Sequence, residues 1–358
     1  MAKDDDTLEE ARARFAASTD GWSDAKAAAL DDLNFAQLGV QWPTDVEQER
    51  ILDGRPCLTI NDLPASIRQV VNDGRQNRPS IKVRPVDNQA DVKTAAVFSG
   101  LIKNIESMSN ASVAYDIGLD RAASMGFGFV VVESDYSCDS SFDMDLKICP
   151  VMNPLAVDWD PSTEAMDSSD WRFAFLSEMV DKDEFEKEYP GAQSGGVNFS
   201  DDGYLSSWFE EDQIRVARYW SKDDDEHELL QLSDGTPIAK EIYTREKALF
   251  DQLGLTVERS RKVKSHRITL RKISGKDVLH ETSWRGTIIP VVPVYGECIN
   301  VEGRRYFKSL IRDAKDAQRM FNLSRSTVSE IIGRTPKTPW MAPETTFDCV
   351  DAEKWGMI

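Results

Sequence analysis

Apolar and polar residues alternate in two different ways along this chain, at helical spacing in its first part and at strand spacing in its middle. From Thr7 to Gly39 the pattern predicts two helices broken at Thr19-Asp20-Gly21, the second capped by Ser23 and closed by Gly39. Leu63, Ile67, Val70 and Val71 repeat at a helical period, and Ile81-Lys-Val83-Arg-Pro85-Val86 then alternates like a short strand. Asp91 is placed to cap a helix whose apolar face is Val92, Ala95, Ala96, Ile102, Ile105 and Met108. The next helix carries a stripe of mostly small residues, Ala111, Tyr115, Gly118, Ala122 and Met125, which permits close packing. Gly126-Phe-Gly128 then turns the chain into the strand Phe129–Val132.

From about residue 133 to 300 the period shortens to two, as in Ile214-Arg-Val216-Ala-Arg218-Tyr-Trp220 and His266-Arg-Ile268-Thr-Leu270, with acidic loops between the runs. One amphipathic helical stretch, Lys182 to Tyr189, interrupts them and ends at Pro190-Gly191. The expected class is therefore α+β. It divides into a helical and α/β region at 1–150, a β-rich region at 151–300, a long helix within 301–335, and the start of a further segment at 336–358.

That long helix, expected from Gly303 to Gly333 and ended by Gly333 and Pro336, carries two stripes. Leu310, Ala314, Ala317, Phe321, Ser324, Val328 and Ile331 step by four and three, the 3.5 repeat of a packed helical seam. Lys308, Arg312, Lys315 and Arg319 follow the same spacing offset by two residues, about 200° round the helix. With Arg325 they are the candidate phosphate-facing or subunit-facing residues. The plainer alternative is a solvated face paired with Asp313, Asp316 and Glu330.

Composition changes this picture mainly through charge. Across 358 residues, 43 basic side chains face 62 acidic ones for a net charge of −19. That argues against a protein that wraps DNA by neutralising phosphates, and fits a surface along which DNA slides. The five cysteines, Cys57, Cys138, Cys149, Cys298 and Cys349, contain no CxxC pair, so neither a zinc site nor a disulfide framework is written here. The amino-terminal residues are charged and no run approaches ~18 apolar residues, so a soluble protein made in the cytoplasm is expected, with no membrane partner.

Candidate chemistry is sparse. The pairs Asp143/Asp145, Asp158/Asp160 and Asp167/Asp170 have the residue type for metal binding or acid–base work, but none carries the glycine and closing glutamate of an EF-hand loop. His227, His266 and His280 form no HExxH, and neither GxSxG nor a phosphate-binding GxxxxGK[ST] is present. No catalytic residue, metal or cofactor is expected. The densest basic run, Arg259, Arg261, Lys262, Lys264, His266, Arg267, Arg271 and Lys272, either meets nucleic acid or an acidic partner, or forms a hairpin with Asp223-Asp-Asp-Glu226. Five tryptophans in the β-rich half, Trp159, Trp171, Trp208, Trp220 and Trp284, are expected mostly in the core, with some as interface anchors.

The order of several segments carries a resemblance. Arg55-Pro-Cys-Leu-Thr-Ile-Asn61 leads into a helix ending at Asn77-Arg-Pro79. Met108 to Asp116, Gly126-Phe-Gly128, Asn153-Pro154 and Asp158 to Pro161 follow. Ile289-Pro-Val-Val-Pro-Val-Tyr-Gly296, Ala314 to Asn322 and Thr335-Pro-Lys-Thr-Pro-Trp340 close the set. From about Trp22 to Trp340 this resembles the portal proteins of tailed double-stranded DNA bacteriophages of the short-tailed podovirus type. The resemblance implies wing, clip and stem segments, with the 303–333 helix as a stem-type helix. It further implies a homo-oligomeric, twelve-fold ring at one capsid vertex of the virion, assembled in the host cytoplasm. The implied partners are the terminase large subunit, tail and adaptor proteins, scaffold and coat protein, and double-stranded DNA passing through non-specifically. In such portals more wing and a crown follow the stem, so a continuation past Ile358 is expected. The alternatives are another virion scaffold or adaptor protein, or a metal-dependent hydrolase using the aspartate pairs.

Overall fold

The computed structural model describes residues 2–85, 91–138, 140–192, 208, 212–233, 235–247, 250 and 254–335. Its contacts divide the chain into two compact units, Met1–Leu33 with Leu63–Arg312, and Asn34–Asp62 with Asp313–Ile358. Helices and antiparallel sheets mix as the class α+β requires.

Helix α1 (Ala2–Ala36), which lies in the first unit up to Leu33, is one helix, where the sequence predicts a break at Thr19-Asp20-Gly21. The reason lies in its buried stripe. Leu8, Ala11, Phe15, Trp22 and Ala29 are spaced by three, four and seven, so one helical face runs straight through the expected break. Ser18 and Trp22 both donate to the Trp159 carbonyl, at 2.7 and 2.9 Å. A β-carbon on Gly21 would stand 3.0 Å from the Pro161 ring, so this glycine serves close approach and not a turn.

Helices α3 (Leu63–Gln76), α4 (Val92–Met108) and α5 (Ala111–Met125) follow, after α2 (Thr44–Leu52) in the second unit. Asp91 caps α4 as expected, accepting from the Lys93 N–H at 2.9 Å. The expected strand at Ile81–Val86 is not formed over residues 81–85, and Val86 lies outside the described residues. The Val83 N–H goes to the Ser99 hydroxyl on α4 at 3.1 Å instead of to a strand.

The small stripe of α5 lies on β1 (Phe127–Tyr136), the centre of a three-stranded sheet ordered β2 (Met144–Pro150), β1, β9 (Val291–Tyr295). Gly128 has no room for a β-carbon, which would collide with the Gly118 carbonyl of α5. The second sheet runs β3 (Val157–Trp159), β4 (Phe173–Asp181), β5 (Gln213–Leu232), β7 (Val257–Ile273), β8 (Val278–Trp284), with β6 (Pro237–Ala239) on the far part of β5. Short helices α6 (Lys182–Glu188) and α7 (Lys240–Arg245) attach to this sheet.

Two apolar clusters fill the unit. Trp159 sits at the centre of one, its ring 4.5 Å from Trp22 and 6.0 Å from Trp171, with Phe127, Phe129 and Phe307 around it. The other joins Leu8, Ala11 and Phe15 of α1 to Phe175, Trp208, Ile214 and Tyr219. Of the five tryptophans expected mostly in the core, Trp159, Trp171, Trp208 and Trp220 are fully buried and Trp284 is half-buried.

The chain leaves the unit through a hairpin, β10 (Glu297–Val301) and β11 (Arg304–Lys308), turning at Glu302 and Gly303 with φ of 52° and 82°. Gly303 therefore sits in a hairpin turn and does not open the long helix. That helix, α8, spans Lys315–Arg334 after a 3-10 turn at Arg312–Ala314, so it is shorter at its start than the sequence predicts. Pro336, expected to end it, and the segment 336–358 lie outside the described residues.

Candidate functional site

In the second unit α8 packs through polar side chains. Gln318, Asn322 and Ser326, spaced by four, are buried on one face. They satisfy the backbone of the extended run at Leu58–Ile60. Ser326 Oγ accepts from the Leu58 N–H at 2.9 Å, Asn322 Oδ1 accepts from the Ile60 N–H at 3.1 Å, and Gln318 donates to the Ile60 carbonyl. Asn322 also donates to Gln41 Oε1 at 2.6 Å. One turn further on, Glu330 meets Arg50, Arg55 and Arg334 at 3.6, 3.5 and 3.2 Å. Asn322→Ala orphans the Ile60 N–H and the Gln41 carbonyl oxygen, so a loss of about 1–3 kcal/mol in chemical denaturation is expected.

This burial changes the meaning of the basic stripe. Lys315 is buried, with its ammonium 5.5 Å from the Phe35 ring, and the Arg319 guanidinium lies 5.1 Å from the same ring while pairing with Asp316 at 3.2 Å. Long apolar stems let both residues lie on the packed face, where a surface stripe is expected from sequence. Lys308 is on β11, and Arg312 in the 3-10 turn donates to buried Asp32 at 2.6 Å and to the Phe307 carbonyl. Of the five, only Lys315, Arg319 and Arg325 lie on α8. Arg325 is exposed and lies 5.1 Å from the Phe321 ring.

The apolar seam points the other way. Within α8, Ala317, Phe321, Val328 and Ile331 lie about 100–180° round the helix from Asn322, the centre of the polar face, given ~100° per residue. Val328 is 45% exposed and Ile331 60%, joined by Met320 at 74% and Ile332 at 70%. Phe321 is half-buried. Leu310 and Ala314 precede α8, the first exposed and the second half-buried. Sequence reasoning took apolar residues at helical spacing as the sign of the buried face. Gln318, Asn322 and Ser326 have the same spacing, and only the segment they bind shows that the polar stripe is the one buried within this unit.

The aspartate pairs hold turns and one lysine. Asp158 Oδ1 accepts from Lys26 at 2.7 Å, and burial pushes the Lys26 pKa down against the pull of that carboxylate. Asp160 accepts from the Ser162 N–H at 2.9 Å and from the Arg172 N–H at 3.3 Å. Asp170 accepts from the Ala165 N–H at 2.8 Å, Asp167 from the Ser169 N–H at 3.2 Å, and Asp143 from the Ser141 hydroxyl at 3.2 Å. Among the described residues no three or more His, Cys, Asp or Glu side chains are grouped to hold a metal. No described helix is long and apolar enough to cross a membrane.

The dense basic run forms a hairpin with the acidic one. In register, Asp223 faces Arg267, Asp224 faces His266, Glu226 faces Lys264 and Glu228 faces Lys262. Asp224 and His266 are 3.1 Å apart, and Asp225 and Arg267 3.4 Å. The hairpin with Asp223–Glu226 expected from sequence is thus formed.

Comparison with known proteins agrees with the segment order. Residues 12–357 match the family model of the phage P22-like portal protein. The portal protein of Acyrthosiphon pisum secondary endosymbiont phage 1 is 25% identical over 324 residues, covering 84% of this chain and 44% of the relative. The chain thus spans less than half the length of that curated relative. A family match across nearly every residue, over a fold whose α+β elements follow the expected order, means that this chain belongs to the phage P22-like portal protein family.

Proposed function

We propose that the chain is a structural subunit of the portal ring at one capsid vertex. The ring is twelve-fold and forms the channel for DNA packaging and ejection. It docks the terminase large subunit and the tail and adaptor proteins, and during assembly in the host cytoplasm it meets scaffold and coat protein. In this reading α8 is a stem-type helix, and the sheets of the first unit supply wing and clip surfaces.

The observation that carries the proposal is the apolar face of α8. Its polar face already binds residues 58–60, while Met320, Val328, Ile331 and Ile332 stay exposed on a helix of 20 residues. Val328 and Ile331 keep the step of the seam, and an exposed apolar helix face of this kind is what a helix presents to neighbouring copies. The acidic balance limits sticking to a duplex that must slide. No catalytic role is assigned, because the aspartates a hydrolase would need are engaged with Lys26 and with local turns. Sedimentation velocity tests the reading. The purified chain is expected to run as one large oligomer, and a monomer at every concentration contradicts it.

A further inference from the structure

The hairpin of β5 and β7 leaves the sheet with both edges open. The β4 side of β5 makes its last backbone bond from the Lys222 N–H to the Arg172 carbonyl, and β6 pairs from Leu229 onward, so among the described residues no strand lies along the outer edge of β5 from Asp223 to Glu228, where Lys240 of α7 pairs with Glu228 at 2.6 Å. On the other side β8 pairs only from Ile268 onward, so among the described residues no strand lies along the outer edge of β7 from Val257 to Arg267. Each open edge presents backbone N–H and C=O groups to whatever lies alongside.

The two edges carry opposite charge. The open part of β5 holds Asp223, Asp224, Asp225, Glu226 and Glu228. The open part of β7 holds Arg259, Arg261, Lys262, Lys264 and Arg267, with Glu258 the one acidic residue. All five of these basic residues are exposed. Two acidic edges repel each other, as do two basic ones, so edge pairing between copies is favoured only when unlike edges meet. Pairing like with like would close a two-fold dimer, whereas pairing unlike edges is head-to-tail, the interface type that generates rings.

We propose that the basic edge of β7 in one copy lies along the acidic edge of β5 in the next, so that unlike strand edges join neighbouring subunits. This rests on the ring reading above. Where the strands run along the ring axis, rotation preserves their direction. The β7 of one copy then meets the next β5 antiparallel, as it meets its own.

The test is a charge-swapped chain. Asp223, Asp225 and Glu226 become lysine while Arg261, Lys264 and Arg267 become glutamate, so the in-register pairs Asp223/Arg267 and Glu226/Lys264 keep opposite signs and Glu228 keeps its pair with Lys240. The swapped chain is expected to form rings alone, yet to be excluded from rings of the parent, because each mixed junction sets like charges against each other. Native mass spectrometry of the two chains assembled together should show mixed rings at least about ten-fold below random mixing. Free mixing overturns the edge proposal and leaves the ring reading standing, with the charged edges serving only to keep foreign strands away. Failure of the parent itself to form rings overturns the ring reading and this inference with it. Should the swapped chain alone fail to assemble, hydrogen exchange on parent rings decides. Slowed exchange of outward amides within 223–228 and 257–267, relative to dissociated chain, supports the proposal, and unchanged exchange overturns it.

Discussion

Replacing Val328 and Ile331 together with aspartate is expected to abolish the ring while leaving the chain folded. Both side chains are exposed in the single chain, so each change costs its own fold no more than about 0.5 kcal/mol, as for other surface positions. In a ring the same residues would be covered, and a carboxylate forced into that apolar contact without a partner costs far more. Because one contact repeats at every junction, the penalty is multiplied around the ring. The variant should keep the parent's circular dichroism but sediment as a monomer. A variant that assembles like the parent would show that this face of α8 lies outside the subunit contact.

The largest effect on folding is expected at Trp159. Trp159→Ala removes the ring stacked between Trp22 and Trp171 and leaves Phe127, Phe129 and Phe307 facing a cavity. Truncation of a fully buried tryptophan costs about 3–5 kcal/mol, a large part of the roughly 5–15 kcal/mol that holds a domain folded. The effect should spread to α1, since Trp22 loses its stacking partner. Trp159→Phe, which keeps an aromatic body, should cost visibly less. Urea denaturation of the two variants beside the parent measures both, and equal stability of parent and alanine variant would contradict the central place given to this ring.

Most helices and strands were legible because periodicity and capping reflect local physics. Asp91 caps α4, the small stripe of α5 meets β1, and the alternation at Ile214–Trp220 belongs to β5. The failures share one cause, a distant partner that local pattern does not contain. Gly21 reads as a break until Pro161 is seen against it. Gly303 reads as the start of a helix until β10 is paired with β11. Lys315 and Arg319 read as a free basic stripe until Phe35 lies beneath them. For α8 both stripes have helical spacing, and hydrophobicity points to the wrong one for packing within its own unit. Side chains that bond backbone, as Gln318, Asn322 and Ser326 do, are invisible to a pattern that counts only apolar positions.

The claim that this chain builds a DNA-conducting ring is tested most directly by electron microscopy of the purified protein. The account predicts closed rings with a central hole wide enough for a duplex, about 20 Å or more when the major groove alone is ~12 Å wide. Particles that assemble without such a hole would contradict it and point to a scaffold or adaptor protein of the virion.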